Sequence, residues 1–408
     1  MNFETLTAAT VDQVWAALDA QVEPGPVQEL AIEQALGCAL ARDVYPAQGF
    51  PPFDRATMDG YALRSADVPR VDTRLRLAGL VRTGGRPPPL EPGTCVRINT
   101  GAPVPAGADA VIMVEKCSEA GPDLIQMNDT IAPGKNIDPQ GSLLKKEDLL
   151  ARAGTRVHAG SVLALAAGGI SRVTVHRPPR VALLSTGEEV IEIGQELDAG
   201  QIYDSNGITL AELIRQAGGT CGSRGRCPDE APVLRPALEH GLTHDLCCAI
   251  GGMSKGTHDL VPALLEEMGV RWLIRGLHLK PGRPMRIGRA PSGCWVVGFP
   301  GNPLSCMVCF FLFVRGLLGR MQGLPRSRPD HASGILEADV TPGGDRPTYR
   351  PARWSAGPEG GIRVAPLTWR GSGDPFSLAS ANALVYRPER APAAWRGETV
   401  TFAPLEMR

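Results

Sequence analysis

Val14, Trp15, Leu18 and Val22 recur at helical spacing behind Thr10-Val11-Asp12-Gln13, a capping-box pattern, so the chain opens with a predicted helix that Glu23-Pro24-Gly25-Pro26 stops. A second short helix is predicted over residues 27–41. From Pro51 to about Leu144 the texture changes to short β-like runs broken by Gly and Pro (LRLAGLV, TCVRINTG, AVIMVEK, DLIQMN), which predicts an all-β module. Helix-like spacing returns in LLARAGTRVHAGSVLALAAGGI, so the module reads as an insertion into a discontinuous first domain. The boundaries expected are 1–50 with 145–178 for that first domain and 51–144 for the insertion.

Residues 179–326 alternate strand and helix. RVALLS, HDLCCAIGG and CWVVGFPG read as strands, and SNGITLAELIRQAGG, a segment begun near Asp229, HDLVPALLEEMG and NPLSCMVCFFLFVRGLLGRMQG read as helices. Asn302 stands at the N-cap of the last helix with Pro303 at its first turn. Repeated β-α units imply a mostly parallel, doubly wound sheet covered by helices on both faces. Residues 327–408 hold turn-rich strands, TYRPARW, GIRVAPLTW, ALVYRP and TVTFAPL, which suggest a small β-barrel or sandwich. The fold class is therefore α/β and multidomain.

Composition narrows the function classes. The 42 basic and 43 acidic residues leave a net charge of -1, so no global field draws the chain to nucleic acid or anionic membrane. The N-terminus lacks the basic and apolar regions of a signal peptide, and the apolar run CMVCFFLFV, stopped by Arg315, is too short to span a bilayer, so a cytoplasmic protein is expected. Of the ten cysteines, Cys306 and Cys309 make a C-x-x-C inside that apolar run with no second pair nearby; buried free thiols, not zinc, are expected.

In such a sheet, ligands bind beyond the carboxyl ends of the strands. There the chain reads Ser185-Thr186-Gly187-Glu188-Glu189, then Gly251-Gly252-Met253-Ser254-Lys255-Gly256-Thr257-His258-Asp259, then Pro300-Gly301-Asn302-Pro303. Hydroxyls, glycines and amides at helix starts suit phosphate or another oxyanion. The carboxylates of Glu189, Asp229 and Asp259 would repel that anion unless a hard divalent cation such as Mg²⁺ bridged them. Against this, Asp229 is equally an ordinary helix N-cap and Glu189 a solvated charge. Leu279-Lys280-Pro281-Gly282-Arg283-Pro284 puts two cations on a stiff turn, suited to a tetrahedral oxyanion. PPFDRATMDGYALRSAD, residues 51–67, crowds Asp54, Arg55, Thr57 and Asp59 before Gly60; as turn chemistry it is ordinary.

The run FDRATMDGYA, INTGAPVPAGADAVIMVE, STGEEV, GQIYDSN, IGGMSKGTHD, LKPGRP and GFPGNPLS, in that order, resembles the molybdopterin molybdenumtransferases, the bacterial MoeA proteins related to a domain of gephyrin. The resemblance implies a discontinuous N-terminal domain, an inserted β domain, an α/β domain like the molybdopterin adenylyltransferases and a C-terminal β-barrel, in a homodimer. It implies insertion of molybdate into adenylylated molybdopterin with release of AMP, with Mg²⁺ as cofactor and pterin nucleotide and molybdate as substrates. Carried over by position, Asp59 and Thr100 reach the partner subunit's α/β domain. Glu189, Asp229 and Asp259 serve metal and pyrophosphate, and Lys280 serves molybdate or phosphate. Pro300 and Pro303 shape the nucleotide-side loop, with Gly301, Asn302 and Ser305 in the same motif, and Arg350 and Ser372 sit near the molybdate pocket. A molybdopterin adenylyltransferase and molybdoenzyme-maturation proteins are the partners implied.

Three positions depart from the family pattern. Gly141-Ser142-Leu143 stands where the family has Gly-Glu-Asp; a second cation falls on Gly276, with Arg275 one place off; and Lys255 replaces an apolar residue. The rival readings are a pterin adenylyltransferase, which the α/β domain alone also resembles, and a non-catalytic gephyrin-like scaffold, which the retained acids oppose.

Overall fold

Arg180–Thr186, Leu246–Ile250 and Trp295–Phe299 are apolar along almost their whole length and buried, as expected of parallel strands covered on both faces. The computed structural model describes residues 4–253, 260–325, 328–357 and 360–405. Two units divide the chain: Met1–Gln28, Gly37–Ala41 and Val175–Arg408 in one, Glu29–Leu36 and Arg42–Thr174 in the other.

In the larger unit a six-stranded sheet runs in the order Thr220–Cys227, Arg180–Thr186, Leu246–Ile250, Trp295–Phe299, Arg286–Arg289, Arg271–Ile274. The first four are parallel. Arg286–Arg289 is antiparallel to both its neighbours. Side chains alternate between two helix layers, as the period of two demands. Leu183, Cys248, Val297 and Phe299 join one cluster with Leu210 and Phe313; Leu184, Cys247, Ala249 and Val296 join the other with Leu234, Leu238 and Leu264.

The edge strand Thr220–Cys227, TCGSRGRC, carries no apolar alternation and is half exposed, which is why its sequence does not announce a strand. Pro303–Met321 is one long helix, apolar all round and interrupted by a π-helical segment at Phe310–Val314. It has the length and composition of a membrane span, yet 83% of its most apolar window is buried inside the protein, where it is a core helix. The cysteines are free, and all but Cys38, Cys117 and Cys221 are buried. Burial alone pushes the Cys247 thiol up to about 12, so it does not ionise at neutral pH.

The capping box of Val11–Gln21 forms as predicted, with Thr10 and Gln13 exchanging hydrogen bonds. Its Val14, Trp15 and Leu18 join the same core as Phe310 and Phe313. The last strands close into a five-stranded barrel, Ala332–Leu336, Ile362–Pro366, Thr348–Ala356, Ala383–Arg387 and Thr399–Pro404.

In the smaller unit the all-β module forms a six-stranded sheet in the order Ala110–Met113, Gly60–Leu63, Thr94–Ile98, Thr73–Val81, Leu124–Met127, Cys117–Gly121. The helix expected over 27–41 is absent. Val27–Ala31 is a strand followed by a single 3-10 turn at Ile32–Gln34. The Ile32 N–H donates to the Ser171 carbonyl and Arg172 pairs with Glu29, so long-range partners override the helix-forming composition. The helix later in the chain, Ala159–Ala167, is capped by His158, whose ring nitrogen accepts the Gly160 N–H.

Candidate active site

From Arg180–Thr186 the sheet extends to Thr220–Cys227 on one side and Leu246–Ile250 on the other, so the chain changes direction between the carboxyl ends of two neighbouring strands. That switch point is where an open α/β sheet leaves room for a ligand. A cavity of about 1160 Å³ opens there, lined by Ser185 and Thr186 from one strand end, Gly251 and Gly252 from the next, and Pro300, Gly301, Asn302, Pro303 and Ser305 from the third.

The glycines are needed for approach. Gly251 has a φ of +87° and a Cβ there would lie 2.8 Å from the Thr186 carbonyl oxygen; at Gly252, φ +59°, it would lie 3.0 Å from the Thr186 hydroxyl. Gly187 does not line the cavity; it lies behind Glu189, whose carboxylate would be 2.6 Å from a Cβ at that position. Two of these glycines do not offer a free amide to a ligand. The Gly187 N–H donates to Cys227 and that of Gly251 to Phe299, so both are used within the sheet ends.

Three polar side-chain ties join residues that line the cavity. The buried Ser185 hydroxyl donates to the Asp204 carboxylate at 2.9 Å, and the same oxygen accepts the Gly207 N–H at 2.8 Å, locking the start of helix Ser205–Gln216 to the strand end. Asn206 donates to the Gly301 carbonyl at 2.7 Å. Asn302 is the N-cap of its helix but makes no side-chain cap bond. Its amide donates instead to the Ser372 hydroxyl at 3.0 Å, while the Ser372 carbonyl accepts the Leu304 N–H. Ser372 is among the residues that line the cavity.

Glu189 and Asp229 both line the cavity. Asp229 stands one residue before Glu230, the N-cap of the helix Ala231–Gly241. Ser254, Lys255 and Asp259 lie outside the described residues. Among the described residues no group of three or more His, Cys, Asp or Glu side chains converges. Two cavity carboxylates are the donor set that a Mg²⁺-like ion uses when a substrate phosphate completes its shell, and in that sense the residues fit a hard cation.

The Leu279–Pro284 turn brings Lys280 and Arg283, both exposed, to the cavity. Its backbone is stitched to the barrel: the Lys280 N–H donates to Pro347, and the Tyr349 N–H to Lys280. A third cation there was not anticipated. Arg346, from the barrel's GGDRPTY turn, lines the cavity and donates to the Leu279 carbonyl at 3.2 Å. Arg350, expected near the pocket, is not among the lining residues. Its guanidinium donates to Thr341 and Pro342 within the barrel, and burial lowers its pKa. Arg275 pairs with Glu266 at 3.0 Å and does not line the cavity. Trp369, Tyr203 and Phe376 add aromatic surface to the wall.

Asp59 and Thr100 belong to the smaller unit and are joined to each other. The Thr100 N–H and hydroxyl both donate to one Asp59 oxygen, at 2.6 and 3.0 Å. Those bonds, the backbone one first, hold the exposed Asp59 carboxyl below its ordinary value of 3.8. Arg55 and Asp54 of the 51–67 stretch are ties as well. Arg55 grips Asp138 through two nitrogens, and Asp54 accepts the Gln140 N–H. Gly60 has no room for a side chain, its Cβ falling 1.9 Å from the Ile112 carbonyl oxygen.

Family models match three stretches: the MoeA N-terminal region (domain I and II) over residues 9–169, a probable molybdopterin binding domain over 182–320, and the MoeA C-terminal region (domain IV) over 333–405. The molybdopterin molybdenumtransferase of Haemophilus influenzae is 31% identical over 402 residues, covering 97% of this chain and 98% of that protein. The chain belongs to the molybdopterin molybdenumtransferase family. A molybdopterin molybdenumtransferase 2 of Mycobacterium tuberculosis is 34% identical over 381 residues, covering 88% of this chain and 90% of that one. A solved molybdopterin biosynthesis MoeA protein of Pyrococcus horikoshii superposes with a TM-score of 0.84 at 30% identity, over 99% of this chain and 100% of that one. Within this family framework, the strand-end loops and the Lys280 turn fall in the molybdopterin binding domain, and Arg346, Ser372 and Phe376 in the C-terminal region.

Proposed function

We propose that this chain, a transferase of molybdenum cofactor biosynthesis, inserts molybdate into the dithiolene of adenylylated molybdopterin in the cavity at the switch point and releases AMP. One observation carries the reading: a single cavity is lined both by carboxylates on strand-end loops, Glu189 and Asp229, and by the cations Lys280, Arg283 and Arg346. A nucleotide phosphate and a second, separate oxyanion together call for such a mixed wall. Lys280, a compact charge, and the guanidinium forks of Arg283 and Arg346 hold molybdate oxygens and neutralise the incoming dianion. Glu189 and Asp229 would hold a Mg²⁺-like ion, which would stabilise the charge that develops on the phosphates as AMP leaves. Thr186, Gly251 and Gly252 bring backbone close to the nucleotide, and the Asn206, Asn302 and Ser372 ties keep the Pro300–Pro303 loop in place.

Molybdate-dependent release of AMP from adenylylated molybdopterin by the purified protein tests the reading. A pterin adenylyltransferase would instead consume ATP and form the adenylylated pterin, and a scaffold would turn over neither. Barrel residues in the cavity wall favour the insertase over the adenylyltransferase.

The active species is a homodimer in which Asp59 and Thr100 serve the partner subunit's cavity, and an adenylyltransferase supplies its substrate. The exposed, hydrogen-bonded Asp59–Thr100 pair in the unit that does not hold the cavity supports this. Mixing an Asp59→Asn chain with an Asp229→Asn chain restores part of the activity if hybrid dimers combine one intact set; no recovery with hybrids formed would contradict it.

A further inference from the structure

Phe376 is 82% exposed, the most exposed large apolar side chain among the described residues, yet it lines the cavity. Leaving such a ring in water forgoes the stabilisation that burial would give. Its backbone is held in place. The Asp374 carboxylate accepts the N–H groups of Arg370, Phe376 and Ser377, at 3.1, 3.0 and 3.3 Å, and the Phe376 carbonyl accepts the Ala379 N–H. Immediately after it, Ser377 is buried and Leu378 packs against the main core. The turn thus fixes an exposed aromatic ring on a rigid base.

The remaining wall shows what such a ring is for. The strand-end loops and the three cations account for phosphate and oxyanion, and a flat heterocycle is left to the aromatic part of the wall, Tyr203, Trp369 and Phe376, of which Phe376 is the most exposed. Aromatic faces recognise such a ring by stacking, with little dependence on ring substituents. We infer that Phe376 is a substrate-binding residue that stacks on a planar fused heterocycle of the substrate, its pterin or its adenine. This deepens, and rests on, the reading of the cavity as the site for an adenylylated pterin. The step is non-covalent, so Phe376 acts on affinity and ring placement.

The test uses the full-length protein and two probes, AMP alone and 6-carboxypterin alone, with dissociation constants measured for wild type, Phe376→Ala, Phe376→Trp and the control Trp395→Ala, an exposed barrel residue outside the cavity. Phe376→Ala is expected to weaken one probe about tenfold, Phe376→Trp to restore it and Trp395→Ala to leave it unchanged. The probe that weakens identifies the stacked ring. In turnover, Phe376→Ala raises KM with kcat nearly unchanged. Equal affinities of wild type and Phe376→Ala for both probes overturn the inference, as does a variant whose sole change is its oligomeric state, which would make the ring an interface residue. A wild type that binds a probe through Phe376 but inserts no molybdate contradicts the proposed reaction and not the stacking. A wild type that inserts molybdate equally well with Phe376→Ala, at unchanged KM, contradicts the stacking alone.

Discussion

The cavity has two kinds of wall, and they are built differently. Ser185, Thr186, Gly251, Gly252 and Pro300 stand at the ends of neighbouring parallel strands, so the sheet register brings them together. Lys280, Arg283 and Arg346 meet because a turn at Leu279–Pro284 is sewn to a barrel strand by backbone pairing between Lys280, Pro347 and Tyr349. The first wall is acidic and glycine-rich, the second cationic. The difference teaches that the cavity offers two chemically distinct halves, which the proposed reaction uses for two ligands: nucleotide phosphate on the strand-end side and the molybdate oxyanion on the cationic side.

The largest effect that would sharpen this comparison separates two arginines of one barrel. Arg346→Gln removes a cavity cation and is expected to lower molybdate-dependent turnover about a hundredfold. Arg350→Gln leaves turnover near wild type but costs about 1 kcal/mol of stability through the lost bonds to Thr341 and Pro342. Equal losses of turnover would break the division. Next, Gly251→Ala strains the strand-end wall, since its added carbon meets a backbone oxygen 2.8 Å away at positive φ. A loss of about 1–3 kcal/mol is expected in denaturant titration, with turnover falling as the loop shifts.

The smallest expected effect lies beside the barrel wall. His331 donates to or accepts from the Tyr349 hydroxyl at 3.0 Å, and burial lowers its pKa from 6.5, opposed in part by the charges of Asp12 and Asp330. The folded protein keeps it neutral while the unfolded chain takes up a proton. Its contribution is therefore complete above about pH 6.5 and declines as pH falls from there through the folded pKa. Unfolding titrations between about pH 7.5 and 5 should show a shallower pH slope for His331→Phe than for wild type; identical slopes would contradict it.

Legibility followed the same division. Apolar runs, Thr-Gly and Gly-Gly loops and the Pro303 helix start all carry local signals, so three parallel strands of the sheet, their carboxyl-end loops and four of the five barrel strands could be read. The edge strand Thr220–Cys227 could not, because polar and glycine residues at a half-exposed edge leave no period. Residues 27–31 misled in the opposite sense, their helix-forming composition yielding to long-range partners. Arg346 was hidden because a lone arginine in a Gly-Asp-Arg-Pro turn acquires its role only when the Lys280 turn pairs with the following strand. Arg350 drew attention by its motif although its side chain is committed to Thr341 and Pro342. Asp204, within GQIYDSN, was not singled out, because its bond to Ser185 exists only once the fold brings the strand end and the helix start together.

The central claim, that the two walls divide the work, is tested most directly by crossed titrations of molybdate and Mg²⁺ against AMP release in Lys280→Ala and Asp229→Asn. The account predicts that high molybdate restores much of the turnover of Lys280→Ala and none of Asp229→Asn, while raised Mg²⁺ helps Asp229→Asn alone. Rescue of Asp229→Asn by molybdate, with Lys280→Ala indifferent to it, would show that the roles of the walls are reversed.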